Sequence, residues 1–238
     1  MKVLLHHLWL FPLVAGTAWL VALLTLLIAW FAKGMPQYPG QSNPYVPYEL
    51  LPESYQNSRL IMIRFVSDIG AFELKPVFLI CAIMTGLGFI GTTCSVHYAR
   101  YSSRMYGLKG SRIAKAVSCL AIIASIVAGV NLIMLSIMDT YRFQEAHRNF
   151  LGASFLGLGC SAACTTWVYL DQTRKRSPYR RLREYCVVNT AIQVCELGLG
   201  AAFMVLLNKE WYRIAGFLEW TVTILGSFWL LNFIGYLA

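Results

Sequence analysis

Six long apolar stretches, separated by short runs that collect most of the charges, set the pattern of this chain. They cover roughly 8–32, 76–99, 114–138, 149–170, 187–207 and 215–237. Each has about the twenty residues that an α-helix needs to cross a hydrocarbon core. Lipid offers no partner to a backbone amide or carbonyl, so each stretch is expected to be a helix that satisfies its own. One connection is long: 33–75 carries Pro36, Pro39, Pro44, Pro47 and Pro52 and a short strand-like run from Leu60 to Val66. The pattern predicts an all-α, polytopic membrane protein, a six-transmembrane-helix bundle with one long lumenal or extracellular loop, residues 1–238 forming a single membrane domain. The first stretch reads as a retained span rather than a signal peptide. It exceeds the 7–15 residues typical of a signal core and runs on into Trp30, Phe31, Ala32 and Lys33.

Composition agrees with the pattern. Apolar residues make up 58% and charged residues 13% of the chain, about half the charged share of a soluble domain. The basic residues are unevenly divided. Segment 100–115 carries Arg100, Arg104, Lys109, Arg112 and Lys115, and segment 171–186 carries Arg174, Lys175, Arg176, Arg180, Arg181 and Arg183. Loops rich in Lys and Arg stay cytoplasmic, so these two segments and both termini are expected on that side. The net charge of +9 does not point to nucleic acid, because the basic residues sit beside spans and no nucleic-acid motif is interleaved with them. Anionic lipid headgroups at the cytoplasmic face are the expected partner. A basic cluster beside such a leaflet gains about 1 kcal/mol per residue.

Gly86, Gly88 and Gly91 match GxGxxG letter for letter, yet they lie inside the second span instead of at a strand-to-helix turn. They read as a helix-packing face, as do Ala153, Gly157 and Ser161 on the fourth span and Gly198 and Gly200 on the fifth. The seven cysteines lie in or beside apolar runs and suggest neither a disulfide framework nor a metal site; Cys186, at a span end, is a palmitoylation candidate. Glu196 falls near the middle of the fifth span, where a carboxylate costs about 2.5–3.5 kcal/mol and must face the bundle interior. Gln193, Cys195 and Asn131 are its candidate hydrogen-bond partners, and a transporter using Glu196 is one functional alternative. At the outer edge, Ser67, Asp68, Asp139, His147, Glu219 and Trp220 fall on one side of the membrane. That cluster reads either as a hydrogen-bonded network pinning the spans or as a headgroup, metal or acid–base site, with Asp68, His147 and Glu219 as the groups an enzyme would use.

The residues Ser67-Asp68-x-Gly70 entering span two, Asp139-Thr140-Tyr141 followed by Ala146-His147-Arg148, and Glu219-Trp220 in the last span resemble the DRAM/Frag/Sfk membrane family. That family takes in the damage-regulated autophagy modulators, the yeast suppressor of phosphatidylinositol 4-kinase loss and the N-terminal part of the GPI-lipid remodelling protein Cwh. The resemblance covers nearly the whole chain. It implies six helices, both ends cytoplasmic and no established catalytic centre in most members; no cofactor and no metal are expected. It also implies a non-enzymatic role in phosphoinositide or phosphatidylserine homeostasis, membrane trafficking or autophagy, at the plasma membrane or at an endomembrane such as the vacuole, lysosome or Golgi. Protein partners from a lipid-kinase or trafficking complex are implied with it, although a chain ending at Ala238 is expected to lack the tail that would recruit them. A lumenal lipid-remodelling enzyme of the GPI-anchor type is the alternative from the same resemblance.

Overall fold

The computed structural model describes residues 7–35, 65–103, 105–108, 110–174, 179–209 and 211–237. These form α1 (Leu10–Ala32), α2 (Val66–Ile69), α3 (Lys75–Tyr101), α4 (Arg112–Ile137), α5 (Gln144–Arg174), α6 (Arg180–Asn208), α7 (Tyr212–Asn232) and α8 (Ile234–Leu237). No strand occurs among the described residues. Among the described residues six helices are long and apolar enough to cross a membrane, with α7 and α8 together supplying the sixth. The chain is an integral membrane protein with six spans.

Local chemistry sets the helix ends. Ser111 starts α4 by accepting the Ala114 amide on its hydroxyl at 3.1 Å, which satisfies one of the donors a helix leaves open at its first turn. A proline in the first turn of α3 costs nothing there, because that N–H has no intrahelical partner. The helices α5 and α6 begin before their apolar stretches, taking in Gln144–Arg148 and Arg180–Cys186. Polar helical turns that stand beyond the hydrocarbon are invisible to a reading by hydropathy.

Neighbours in space follow the order of the chain. Helix α1 packs on α3, α3 on α4, α4 on α5, α5 on α6, α6 on α7, and α7 returns to α1. The result is a closed ring of six spans. The α4–α5 seam is the most intimate and the α5–α6 seam the sparsest. Small residues explain the close seams, because in lipid helices associate through packing and not through the hydrophobic effect. A Cβ on Gly86 would stand 2.9 Å from the Gly129 carbonyl oxygen of α4, one on Gly88 would press the Ala15 methyl of α1, and one on Gly91 would overlap Phe11. Gly157 of α5 meets the Ala128 amide nitrogen of α4 at 2.8 Å in the same sense.

The packing expectation fails on α6. A Cβ at Gly198 or Gly200 meets nothing within 4 Å, so these glycines mark no helix contact. The strand-like reading of Leu60 to Val66 also changes: Val66 opens the helical turn α2, while residues 60–64, with the five prolines of the long loop, lie outside the described residues. Phe65, Val66 and Ile69 are buried. They carry α2 into one end of the ring, where Phe65 packs edge-on against Phe203 and Val66 and Ile69 join Trp30, Phe78 and Trp220.

Candidate functional site

The end of the ring that holds Lys75, here called the Lys75 end, carries the polar residues singled out from the sequence. Glu219 lies under a single turn and a half into the sixth span and is 4% exposed. Its Oε2 accepts the backbone amide of Val66 at 2.8 Å. The Ser67 amide and hydroxyl address the same carboxyl group, and Asp68, itself buried, stands beside it. The first-turn donors of α2 are therefore satisfied from another helix, which is an N-cap supplied at a distance of 153 residues. Trp220, next along α7, is buried against Val66 and Ile69.

Asp139 and His147 form a second group on the α4–α5 turn. The Asp139 carboxylate accepts the Lys75 ammonium and the Arg142 amide, each at 2.7 Å. Burial pushes this carboxyl up, but the Lys75 and Arg142 hydrogen bonds and positive charges outweigh it, so it titrates below the usual carboxylate range. His147 turns its Nδ1 to the carbonyls of Leu135 and Met138, at 2.9 and 2.7 Å. Both partners only accept, so Nδ1 carries the hydrogen, and the ring closes the C-terminus of α4 by serving carbonyls that the helix leaves open. Its Nε2 is buried without a partner among the described residues.

The two groups share one core, yet no hydrogen bond among the described residues joins Asp139 or His147 to Glu219. Among the described residues no three His, Cys, Asp or Glu side chains come together as metal ligands. Ser67 and Glu219 border the central cavity, and Asp68, Asp139 and His147 are absent from its wall.

At the opposite end, Arg180, Arg181 and Arg183 stand exposed on the first turn of α6, with Arg180 Nε paired to Glu184 at 3.1 Å. Arg174 closes α5, and Lys175 and Arg176 lie outside the described residues. Cys186 is 1% exposed, so the palmitoylation candidate is shut inside the bundle. Sequence reasoning missed the most buried cation among the described residues. Arg100, counted above with a loop, sits in the last turn of α3 at 3% exposure. It pairs with Asp171 of α5 at 2.9 Å, and its guanidinium lies 4.9 Å from the Tyr169 ring centre. That aromatic face takes the place of partners for Nε and Nη1, which have none among the described residues. The available signal was Asp171, an acid inside the second basic segment at the same membrane depth as Arg100.

Glu196 points inward, as its mid-span position requires, but not to its expected partners. The Gln193 side chain pairs with Thr166 of α5, Asn131 donates to Val127 of its own helix at 2.7 Å, and Cys195 is exposed. Glu196 borders the cavity instead.

The family model of the Frag1/DRAM/Sfk1/Cwh43P N-terminal domain matches residues 7–235. The chain is similar to Protein sfk1 of Schizosaccharomyces pombe, 26% identical over 221 residues that cover 93% of this chain and 61% of that protein. It is also similar to Protein SFK1 of Saccharomyces cerevisiae, 30% identical over 103 residues that cover 42% of this chain and 25% of that protein. The chain thus spans less than two thirds of the length of these curated relatives. No solved structure matches it.

Proposed function

The chain belongs to the Frag1/DRAM/Sfk1/Cwh43P N-terminal domain family, and from that premise we propose that it is a non-enzymatic membrane regulator of lipid homeostasis, engaging anionic lipid through its basic end. The carrying observation is how the polar groups are spent. At the Lys75 end, Glu219, Asp139 and His147 hold backbone amides, a lysine and helix-end carbonyls of the chain itself. Groups so engaged fix the bundle, and none pairs a nucleophile with a base. At the other end, Arg180, Arg181 and Arg183 are exposed beside a span, where a leaflet rich in phosphatidylserine or phosphoinositide attracts them by about 1 kcal/mol each. On this reading the basic end and both termini face the cytoplasm, in the plasma membrane or an endomembrane. Proteins of a lipid-kinase or trafficking complex are the partners it would serve.

The test is the lipid carried by the protein. Purified from membranes doped with phosphatidylinositol 4-phosphate, the chain should be enriched in that lipid over phosphatidylcholine. The triple substitution Arg180→Gln, Arg181→Gln, Arg183→Gln should lower the enrichment by roughly tenfold or more while the thermal midpoint holds. Equal enrichment in both proteins would remove the proposal.

A further inference from the structure

The ring of spans is not filled. It encloses a cavity of about 520 Å³, more than three times the roughly 150 Å³ apolar void that accommodates one benzene. Its wall is almost wholly carbon, with Trp19, Phe78, Leu132 and Trp229 contributed by four different spans. The void persists for a reason visible in the sequence. Gly152 of α5 and Gly200 of α6 both border it, and a Cβ at either position meets nothing within 4 Å. Gly86, Gly129 and Gly157 draw helices together; Gly152 and Gly200, beside the sparse α5–α6 seam, leave space.

Position and access restrict what can occupy that space. Along α7 the cavity runs from Glu219 to Leu230, about 16 Å of helix, or half the hydrocarbon thickness of a bilayer. It opens sideways. Leu156 of α5 and Leu197 of α6 border it and are nevertheless 77% and 48% exposed, on a surface that faces lipid chains and not water. An occupant therefore enters from the membrane.

Glu196 leaves a polar atom for it. Glu196 Oε1 is enclosed and has no partner among the described residues, and it lies 3.4 Å from where a Cβ on Gly226 would stand. That is about 10 Å deeper along α7 than Glu219, whose carboxylate is already engaged by Val66. An enclosed carboxyl group requires a hydrogen-bond partner, and a hydroxyl meets the need in either protonation state because it both donates and accepts. A phosphodiester offers only acceptors and would bring a charge to mid-membrane depth, at high cost. A small uncharged hydroxyl supplies the partner without that cost.

We propose that the cavity binds an uncharged, hydroxyl-headed lipid that enters between α5 and α6. Its hydroxyl hydrogen-bonds to Glu196, and its hydrocarbon body lies against Trp19, Phe78 and Trp229. Diacylglycerols and sterols share this chemistry. The site is remote from Arg180, Arg181 and Arg183 and stands whether or not those residues hold anionic lipid.

The full chain in lipid nanodiscs, exposed in turn to photoactivatable diacylglycerol, sterol and phosphatidylcholine probes at equal mole fraction, tests the assignment. At least one hydroxyl-headed probe should crosslink to the cavity faces of α5, α6 or α7, and which one does so identifies the source. Gly200→Leu and Gly152→Leu, which grow into open space, should each retain the thermal midpoint and lower that labelling by roughly tenfold or more. Glu196→Leu should lower it by roughly tenfold, the worth of one hydrogen bond to a buried group. Equal labelling by phosphatidylcholine, no labelling of the cavity by either hydroxyl probe, or full labelling in both glycine variants would overturn it.

Discussion

Replacing Glu219 by alanine removes the carboxylate that caps α2 from across the bundle. Hydrogen bonds between membrane helices average about 0.6 kcal/mol and rarely exceed about 1.7, because a side chain that loses one partner commonly finds another. The donor here is a backbone amide. Val66 N–H is fixed by α2, its helix is one turn long, and its residue is 2% exposed, so it cannot turn to a substitute. An orphaned buried donor costs about 1–3 kcal/mol, and the Ser67 amide and hydroxyl lose the same acceptor. A loss of about 2–3 kcal/mol at this junction follows. Hydrogen exchange read by mass spectrometry on peptides covering 65–72 should then quicken by roughly 30- to 150-fold in Glu219→Ala. Glu219→Gln, which keeps an acceptor oxygen, should recover most of the protection. Peptides around Asp139 serve as the internal control, since no hydrogen bond among the described residues links them to Glu219. Unchanged exchange at 65–72 in the alanine variant would refute the capping argument.

Two further outcomes rest on other parts of the ring. Gly86→Leu drives a side chain into the Gly129 backbone and should destabilise the protein by about 1–3 kcal/mol in a thermal melt, whereas Gly198→Leu, with open space around it, should stay within about 0.5 kcal/mol. Asp139 titrates below its ordinary value of 3.8 in the folded protein, so the stability it contributes is present above that pH and fades as pH falls through the lower folded value. A melt series from pH 5 down to about 2 should show that decline in the native chain and a flatter acid limb in Asp139→Asn.

The six spans were legible because lipid imposes one rule on every backbone group, and a run of about twenty apolar residues has few other ways to meet it. What followed from side chains meeting across helices was much less so. Glu219 was singled out as an acid in an apolar run, but its partner is a main-chain amide, which every residue carries and no pattern marks. Arg100 was grouped with a loop because charge alone placed it there; its burial depends on Asp171 and Tyr169 arriving from α5. The glycines show the limit most clearly. A glycine can bring two backbones together, as Gly86 and Gly129 do, or hold a space open, as Gly152 and Gly200 do, and the letters are the same in both cases. Only the neighbouring helix decides.

Closure of the ring by α1 against α7 carries a consequence for biogenesis. The groove on α1 that receives Leu231 and Ser227 around Gly16 is completed by the sixth span to leave the translocon, and the amide of Val66 waits for the same helix. Until then a nascent chain leaves the α1 flank bare and the α2 turn uncapped. Arrival of α7 makes both contacts in one step, so a single helix couples the closing of α1 to the capping of α2.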